Sequence, residues 1–160
     1  MATSTSVIGI HTRARPEQVY AALTDLSGFA GWLPRSAIYR GTTVDAGGSA
    51  DYVDRTPLGE LRGRIEHAEP PRRIVFDQRT GDGALSIRIE YALRGWGTGT
   101  ELTRTGTITT AGRLRPLHPL IVAVTRRENR RTLNLLRDAL DGVAGPETHP
   151  LSNPSGKESS

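Results

Sequence analysis

The order of elements in this sequence predicts one α+β domain: a seven-stranded, curved antiparallel sheet wrapped around a long C-terminal helix, with two short helices after the first strand. Three observations carry that expectation. Residues 36–110 alternate strand-like runs with Gly/Pro/Asp punctuation at 45–48, 57–59, 69–71, 81–83 and 95–99, and loops this short favour antiparallel neighbours. Leu117 to Leu140 then reads as one long helix, ~36 Å at 1.5 Å per residue. With 160 residues one domain is the default, able to bury roughly two-thirds of the surface its unfolded chain exposes.

Each element has a local reason. Residues 4–13 (STSVIGIHTR) alternate as a short strand does. Pro16 opens PEQVYAALTDL at the first helical position, with Val19, Leu23 and Leu26 at helical spacing. A second short helix is expected over 27–33, capped by Ser27 and stopped by Pro34. About six strands follow. The clearest is 84–93 (ALSIRIEYAL), where Leu85, Ile87, Ile89, Tyr91 and Leu93 face one way and Ser86, Arg88 and Glu90 the other. The apolar stripe of the long helix is read as Leu117, Leu120/Ile121, Val124, Leu135/Leu136 and Ala139. Residues 145–160 (GPETHPLSNPSGKESS) are too polar and Pro/Ser-rich to bury anything, so the domain is expected over 1–144 and a disordered tail beyond it.

Composition removes several function classes. Without cysteine there is no disulfide scaffold, thiolate metal site or cysteine nucleophile. The first twenty residues lack the apolar run of a signal peptide, and no segment reaches the ~18 apolar residues of a membrane span. The expectation is a soluble cytoplasmic protein with no integral membrane association. Four scattered histidines (His11, His67, His118, His149) show no metal-ligand spacing, so no metal is expected. There is no GxSxG elbow, and the glycines at 95–99 read as a turn between strands rather than a nucleotide loop. No cofactor is called for. Seven Arg against Glu128, Asp138 and Asp141 give residues 111–141 a net +4, the whole excess of the chain. Arg126, Arg127, Arg130 and Arg137 should lie on the outer helix face. A solvated face is the expectation there, because aromatics for stacking on bases are not interleaved, and a nucleic-acid partner is not expected.

A cavity follows from dimensions. Seven strands at ~4.8 Å spacing span ~34 Å, whereas a helix with its side chains is ~10–12 Å wide. Bulky inward residues would fill the difference, yet the chain has only eight aromatic residues. Gly63 and Gly106 share the apolar parity of their strands and leave room, or else relieve crowding where the sheet bends. A pocket on the order of a few hundred Å³ is expected, bounded by the long helix and with its mouth near Trp32. Its wall is expected to include Trp32, Tyr52, Gln78, Ile87, Ile89, Tyr91, Leu102, Arg104, Val124 and Glu128, with Asp54 a further inward position. Arg104 shares the parity of Leu102 and Ile108, while Glu128, Arg131 and Thr132 interrupt the helix stripe. Buried charges cost several kcal/mol per ion unless paired, so an Arg104–Glu128 pair would satisfy both and offer a ligand a polar anchor. The alternative is a helix face exposed where the sheet ends, with Arg104 snorkelling out. Tyr52 and Tyr91 suit either a mixed pocket or an ordinary core.

Four stretches, in order, carry a family likeness: PEQVYAALTDLSGFAGWLP, HAEPPRRIVF, ALSIRIEYALRGWGTGTELTRTGTI and the Arg-rich helix after RLRPLHPL. Over residues 6–140 the chain resembles the helix-grip fold of the SRPBCC/START (Bet v 1-like) superfamily, in particular its bacterial polyketide cyclase/dehydrase and lipid-transport branch. That resemblance implies a fold and a cavity rather than one reaction. It implies a hydrophobic small-molecule ligand, such as a lipid, polyketide or quinone-like compound. The alternative it allows, second to ligand binding, is a polyketide aromatase/cyclase or dehydratase using the same cavity, for which Arg104 and Tyr91 are the expected hydrogen-bond donors. Trp32 resembles the aromatic at the pocket mouth of related proteins, or is a hydrophobic plug. A ribosome- or nucleic-acid-associated module using the Arg-rich helix is the third reading.

Overall fold

Alternation along the first residues produces strand β1 (Ala2–Thr12), whose last inward positions, Ile10 and Thr12, are buried. Pro16 occupies the first turn of helix α1 (Pro16–Thr24), where its missing N–H costs nothing, and Arg15 N donates to Gln18 Oε1 at 2.9 Å. Val19 and Leu23 are the buried face. The second short element is a 3-10 segment, Leu26–Gly31, and its cap is Asp25 rather than Ser27: Asp25 Oδ1 accepts from Gly28 N at 3.1 Å. Placing the cap two residues earlier leaves a tighter, shorter turn than the helix expected over 27–33. The computed structural model describes residues 1–34, 36, 39–44 and 51–144, so the turn at 45–48 and the tail at 145–160 lie outside the described residues.

Six further strands follow: β2 (Thr42–Val44), β3 (Asp51–Thr56), β4 (Gly59–Glu69), β5 (Arg73–Thr80), β6 (Leu85–Trp96) and β7 (Gly99–Thr110). They join β1 in one antiparallel sheet ordered β1-β7-β6-β5-β4-β3-β2. Each hairpin connects sequence neighbours, and β1 closes onto the last strand. A register shift between Ile65 and His67 inserts a bulge into β4, which bends that strand and increases its twist. Leu85, Ile87, Ile89, Tyr91 and Leu93 are all buried, as their alternation predicts. On the outer face, Thr3–Thr109 and Thr5–Thr107 hydroxyls meet at 3.2 Å across β1 and β7.

A 3-10 turn (Gly112–Leu117) leads into helix α2 (His118–Ala144), giving the α+β, helix-grip-like architecture expected. Polar clamps hold the helix at both ends. His118 is buried between Ser4 Oγ (2.7 Å) and Thr110 Oγ1 (2.8 Å). At the far end Asp141 Oδ1 accepts from Thr12 Oγ1 (2.6 Å) and Arg13 N (2.9 Å). Between the clamps the helix phase departs from the expected stripe. Leu117 and Leu120 are 45% and 61% exposed, and Val124 is half-buried; the buried positions are Ile121, Asn129, Leu133, Leu136 and Leu140. Two physical causes account for this. Leu117 sits in a 3-10 turn, whose three-residue period does not carry the α-helical phase forward. Residues 120–124 are continuously apolar, so they define no face. Among the described residues no helix is long and apolar enough to cross a membrane.

Candidate ligand cavity

Inward positions of β3, β5, β6 and β7 face Thr125, Asn129 and Thr132 of α2 across a cavity of about 150 Å³, with Leu23, Phe29, Trp32 and Leu33 forming a further wall. Phe76 stands at the middle of its sheet wall and meets both the Tyr52 and Tyr91 rings edge-on, at 6.0 and 5.9 Å between centroids. Trp32 packs edge-on against Phe29 at 5.2 Å.

The cavity is smaller than the few hundred Å³ expected, because the two glycines seat side chains instead of leaving a void. A Cβ on Gly63 would stand 2.4 Å from the Tyr52 ring, its neighbour in register, so glycine is what lets that ring lie flat on β4. A Cβ on Gly106 would stand 3.3 Å from Arg104 Nη1, which places the guanidinium along β7 over that glycine.

On the sheet side, two polar groups interrupt the apolar lining. One is Arg104, only 6% exposed, whose Nε donates to Tyr91 OH at 3.3 Å and whose guanidinium carbon lies 5.8 Å from that ring's centroid. Among the described residues it forms no ion pair with a carboxylate. The expected Arg104–Glu128 pair is not made. Glu128 instead accepts from Arg131 Nη1 (2.6 Å) and Ser36 Oγ (2.8 Å), while Arg131 Nη2 also donates to the Pro34 carbonyl. The reason is rotational: Glu128 is one residue, about 100°, from the inward Asn129, and so looks sideways at the segment after Trp32. These contacts clasp that segment to α2.

The second group is Asp54 with Gln78 and Tyr52. Gln78 Nε2 donates to Tyr52 OH (2.7 Å) and to Asp54 Oδ2 (2.9 Å), and Thr42 Oγ1 donates to Asp54 Oδ1. Burial raises the Asp54 carboxyl above its ordinary range, against the opposing pull of the Thr42 and Gln78 hydrogen bonds. Burial, followed by the neighbouring Asp54 charge, pushes the Tyr52 phenol up, so it stays protonated. Cavity-facing groups therefore include a fixed cation and a carboxylate made more basic by its surroundings.

Of the residues expected on the wall, Trp32, Tyr52, Gln78, Ile87, Ile89, Tyr91 and Arg104 line this cavity. Leu102, Val124 and Glu128 do not. Leu102 is fully buried in the core nearer the C-terminal part of α2, and Val124 and Glu128 fall on flanks of the helix. Asp54, already an inward position by parity, joins the lining, as do Tyr39, Phe76, Thr125, Asn129 and Thr132. Thr132 is one of the polar interruptions of the helix stripe expected from the sequence; Thr125 and Asn129 escaped because Thr and Asn resemble solvated positions where apolar spacing is the signal. A larger depression of about 920 Å³ lies on β3–β5. Much of its wall is charged and of the opposite parity, including Arg79 paired with Asp77 at 2.9 Å. Among the described residues, no group of three or more His, Asp or Glu is placed to hold a metal ion.

A curved antiparallel sheet gripping one long helix, with a small mixed cavity between them, defines an α+β protein of the helix-grip class. The chain belongs to the family described as polyketide cyclase / dehydrase and lipid transport, whose model matches residues 1–141. Membership supports a ligand-binding or cyclase role in general, and no specific ligand. Solved structures show the same fold at low identity. A START superfamily protein from Mycobacterium smegmatis has a TM-score of 0.69 at 11% identity, covering 87% of this chain and 98% of that one. The di-domain ARO/CYC StfQ from the steffimycin biosynthetic pathway has a TM-score of 0.71 at 14% identity, covering 90% of this chain and 53% of its own. Ara h 8.0201 has a TM-score of 0.67 at 12% identity, covering 90% of this chain and 100% of that one. Among curated proteins none matches the sequence.

Proposed function

We propose that the protein binds a hydrophobic small molecule bearing a polar oxygen, of the lipid, polyketide or quinone-like kind, in the cavity between sheet and C-terminal helix. One observation carries this reading: Arg104 is buried on the cavity wall without a carboxylate partner among the described residues. An unpaired buried cation costs the fold stability, and a ligand oxygen arriving at it would recover part of that cost. Apolar side chains around it, Phe76, Ile87 and Ile89, would hold the rest of the molecule. The test is a titration followed by amide NMR shifts, with decanoate, 1,4-naphthoquinone and benzoate as probes. Saturable shifts confined to Ile87, Ile89, Tyr91 and their neighbours are expected with at least one probe. Failure of all three to move these signals would remove the reading.

The second reading, an aromatase/cyclase or dehydratase acting in the same cavity, is favoured by Arg104 and Tyr91 standing together in register on β7 and β6. In that role both would donate hydrogen bonds to a developing enolate oxygen. Asp54, with its raised carboxyl pKa, would be the carboxylate on the wall, among the described residues, to take a proton.

A further inference from the structure

The cavity's size and its separated polar groups say more about the occupant than its family membership does. A volume of about 150 Å³ is the size of cavity that holds a single benzene ring when lined by apolar side chains. Here the sheet side of the wall is apolar in the middle and polar at two places drawn from different parts of the sheet, and Thr125, Asn129 and Thr132 of α2 stand opposite. Arg104 is on β7 and Asp54 on β3, four strands apart in the sheet order, and Phe76 and Ile89 are on strands between them. At the first place the guanidinium makes, among the described residues, one side-chain hydrogen bond, from Nε to Tyr91, and its other N–H groups are donors for a ligand. At the second, among the described residues, each Asp54 oxygen accepts one hydrogen bond, from Thr42 or Gln78, and each retains a further lone pair.

Resting on the ligand-binding reading above, we infer that the cavity selects a compact molecule of one substituted ring, with a carboxylate or other anionic oxygen held by Arg104 and a hydroxyl donated to Asp54. A hydroxylated aromatic acid is the simplest member of that class. Long acyl chains and fused polycycles exceed the space, and the side chains that limit it are not loose. Tyr52 is fixed by Gln78 and seated on Gly63, and Arg104 lies along Gly106. The segment after Trp32 is clasped to α2 through Ser36, Glu128 and Arg131.

The experiment is isothermal and NMR titration of the full chain with 4-hydroxybenzoate, benzoate, 4-hydroxybenzyl alcohol, palmitate and 6-hydroxy-2-naphthoate. The expected order places 4-hydroxybenzoate first, severalfold tighter than benzoate and at least tenfold tighter than the uncharged alcohol, with shifts at Ile87, Ile89 and Tyr91. Palmitate and the naphthoate should leave those signals in place. Arg104→Leu and Arg104→Met should each erase the preference for the acid over the alcohol, and Asp54→Asn should bring 4-hydroxybenzoate and benzoate to within about twofold. Using two Arg104 variants separates lost recognition from a folding defect, and thermal melts of each check the fold. If palmitate or the naphthoate binds more tightly at the same signals, the size inference fails while ligand binding stands. If no compound moves them, the ligand-binding reading fails with it. If 4-hydroxybenzoate binds but Asp54→Asn leaves its advantage over benzoate unchanged, the two-ended recognition is wrong.

Discussion

The two halves of the helix–sheet interface follow one periodicity and end in opposite states. Leu102 and Arg104 are two residues apart on the same face of β7, and each is buried. Around Leu102 the register brings Ile10 and Leu93, and the C-terminal half of α2 carries the buried Leu133, Leu136 and Leu140. Around Arg104 stand Tyr91 and Gly106, and the helix contributes Thr125, Asn129 and Thr132. Each fully buried Leu stabilises the first half by about 1.5–3 kcal/mol. The second half gains less from its helix side and carries a cation with no carboxylate partner among the described residues. Alternation along a strand decides which side chains look inward; the residues opposite decide whether they meet a core or a cavity.

Truncation should separate the halves most strongly. Leu136→Ala removes a side chain packed on all sides and is expected to cost about 3–5 kcal/mol in urea denaturation. Ile89→Ala faces existing space and loses fewer contacts, so about 2 kcal/mol is expected. Equal losses at the two sites would mean that the cavity side of the interface is packed as tightly as the other.

Replacing the cation inverts the usual sign of a core mutation. Arg104→Leu should leave stability unchanged or raise it by about 1–3 kcal/mol, because apolar residues commonly replace buried charges without loss. A fall of similar size would show that Arg104 supports the fold, which would weaken its assignment to a ligand.

Acid titration sharpens the comparison through two aspartates. At the packed end, burial would raise the Asp141 carboxyl, but hydrogen bonds from Thr12 and Arg13 N outweigh it and hold the pKa below the ordinary value. A depressed folded pKa means that the stabilisation is present above the unfolded pKa of ~3.9 and is lost as pH falls through the folded value. Asp54 has the opposite sign. Its raised folded pKa makes ionisation oppose folding above that value, and the penalty disappears below ~3.9. Asp141→Asn should therefore lower the melting temperature at pH 7 and Asp54→Asn raise it, with both differences shrinking towards pH 3. Melting curves of the two variants from pH 3 to 7 check both signs, and a loss of stability at pH 7 in Asp54→Asn would contradict the second.

Most of the fold was legible because strands write their inward face as every second residue, as in 85–93, and turns carry Gly and Pro. Burial of Arg104 followed from the same parity. The phase of α2 did not, since its cavity-facing residues are Thr and Asn and its first apolar run has no period. Nor did the size of the cavity: glycine on an inward position marks space, but only the fold shows that Tyr52 and Arg104 occupy it. The partner of Glu128 was likewise hidden, because a rotation of one residue on a helix redirects a side chain to another element.

The smallest effect is expected on the third face of α2, which serves as the control for the other two. Arg126, Arg127 and Arg130 are exposed there, and nothing in the cavity or the core depends on them. Changing each to Ala should alter stability by no more than about 0.5 kcal/mol. Guanidiniums clustered on one face would still attract polyanions at low salt, because neutralising phosphates releases counterions. That attraction alone has a characteristic signature: affinity for RNA falls steeply with salt, shows no sequence preference and is gone near physiological ionic strength. Filter-binding titrations with a mixed-sequence RNA across a salt series measure this directly. Binding that survives about 0.15 M salt and disappears in the triple Ala variant would instead make the outer face of α2 a nucleic-acid or ribosome contact, and the helix would then serve two sites, one on each side.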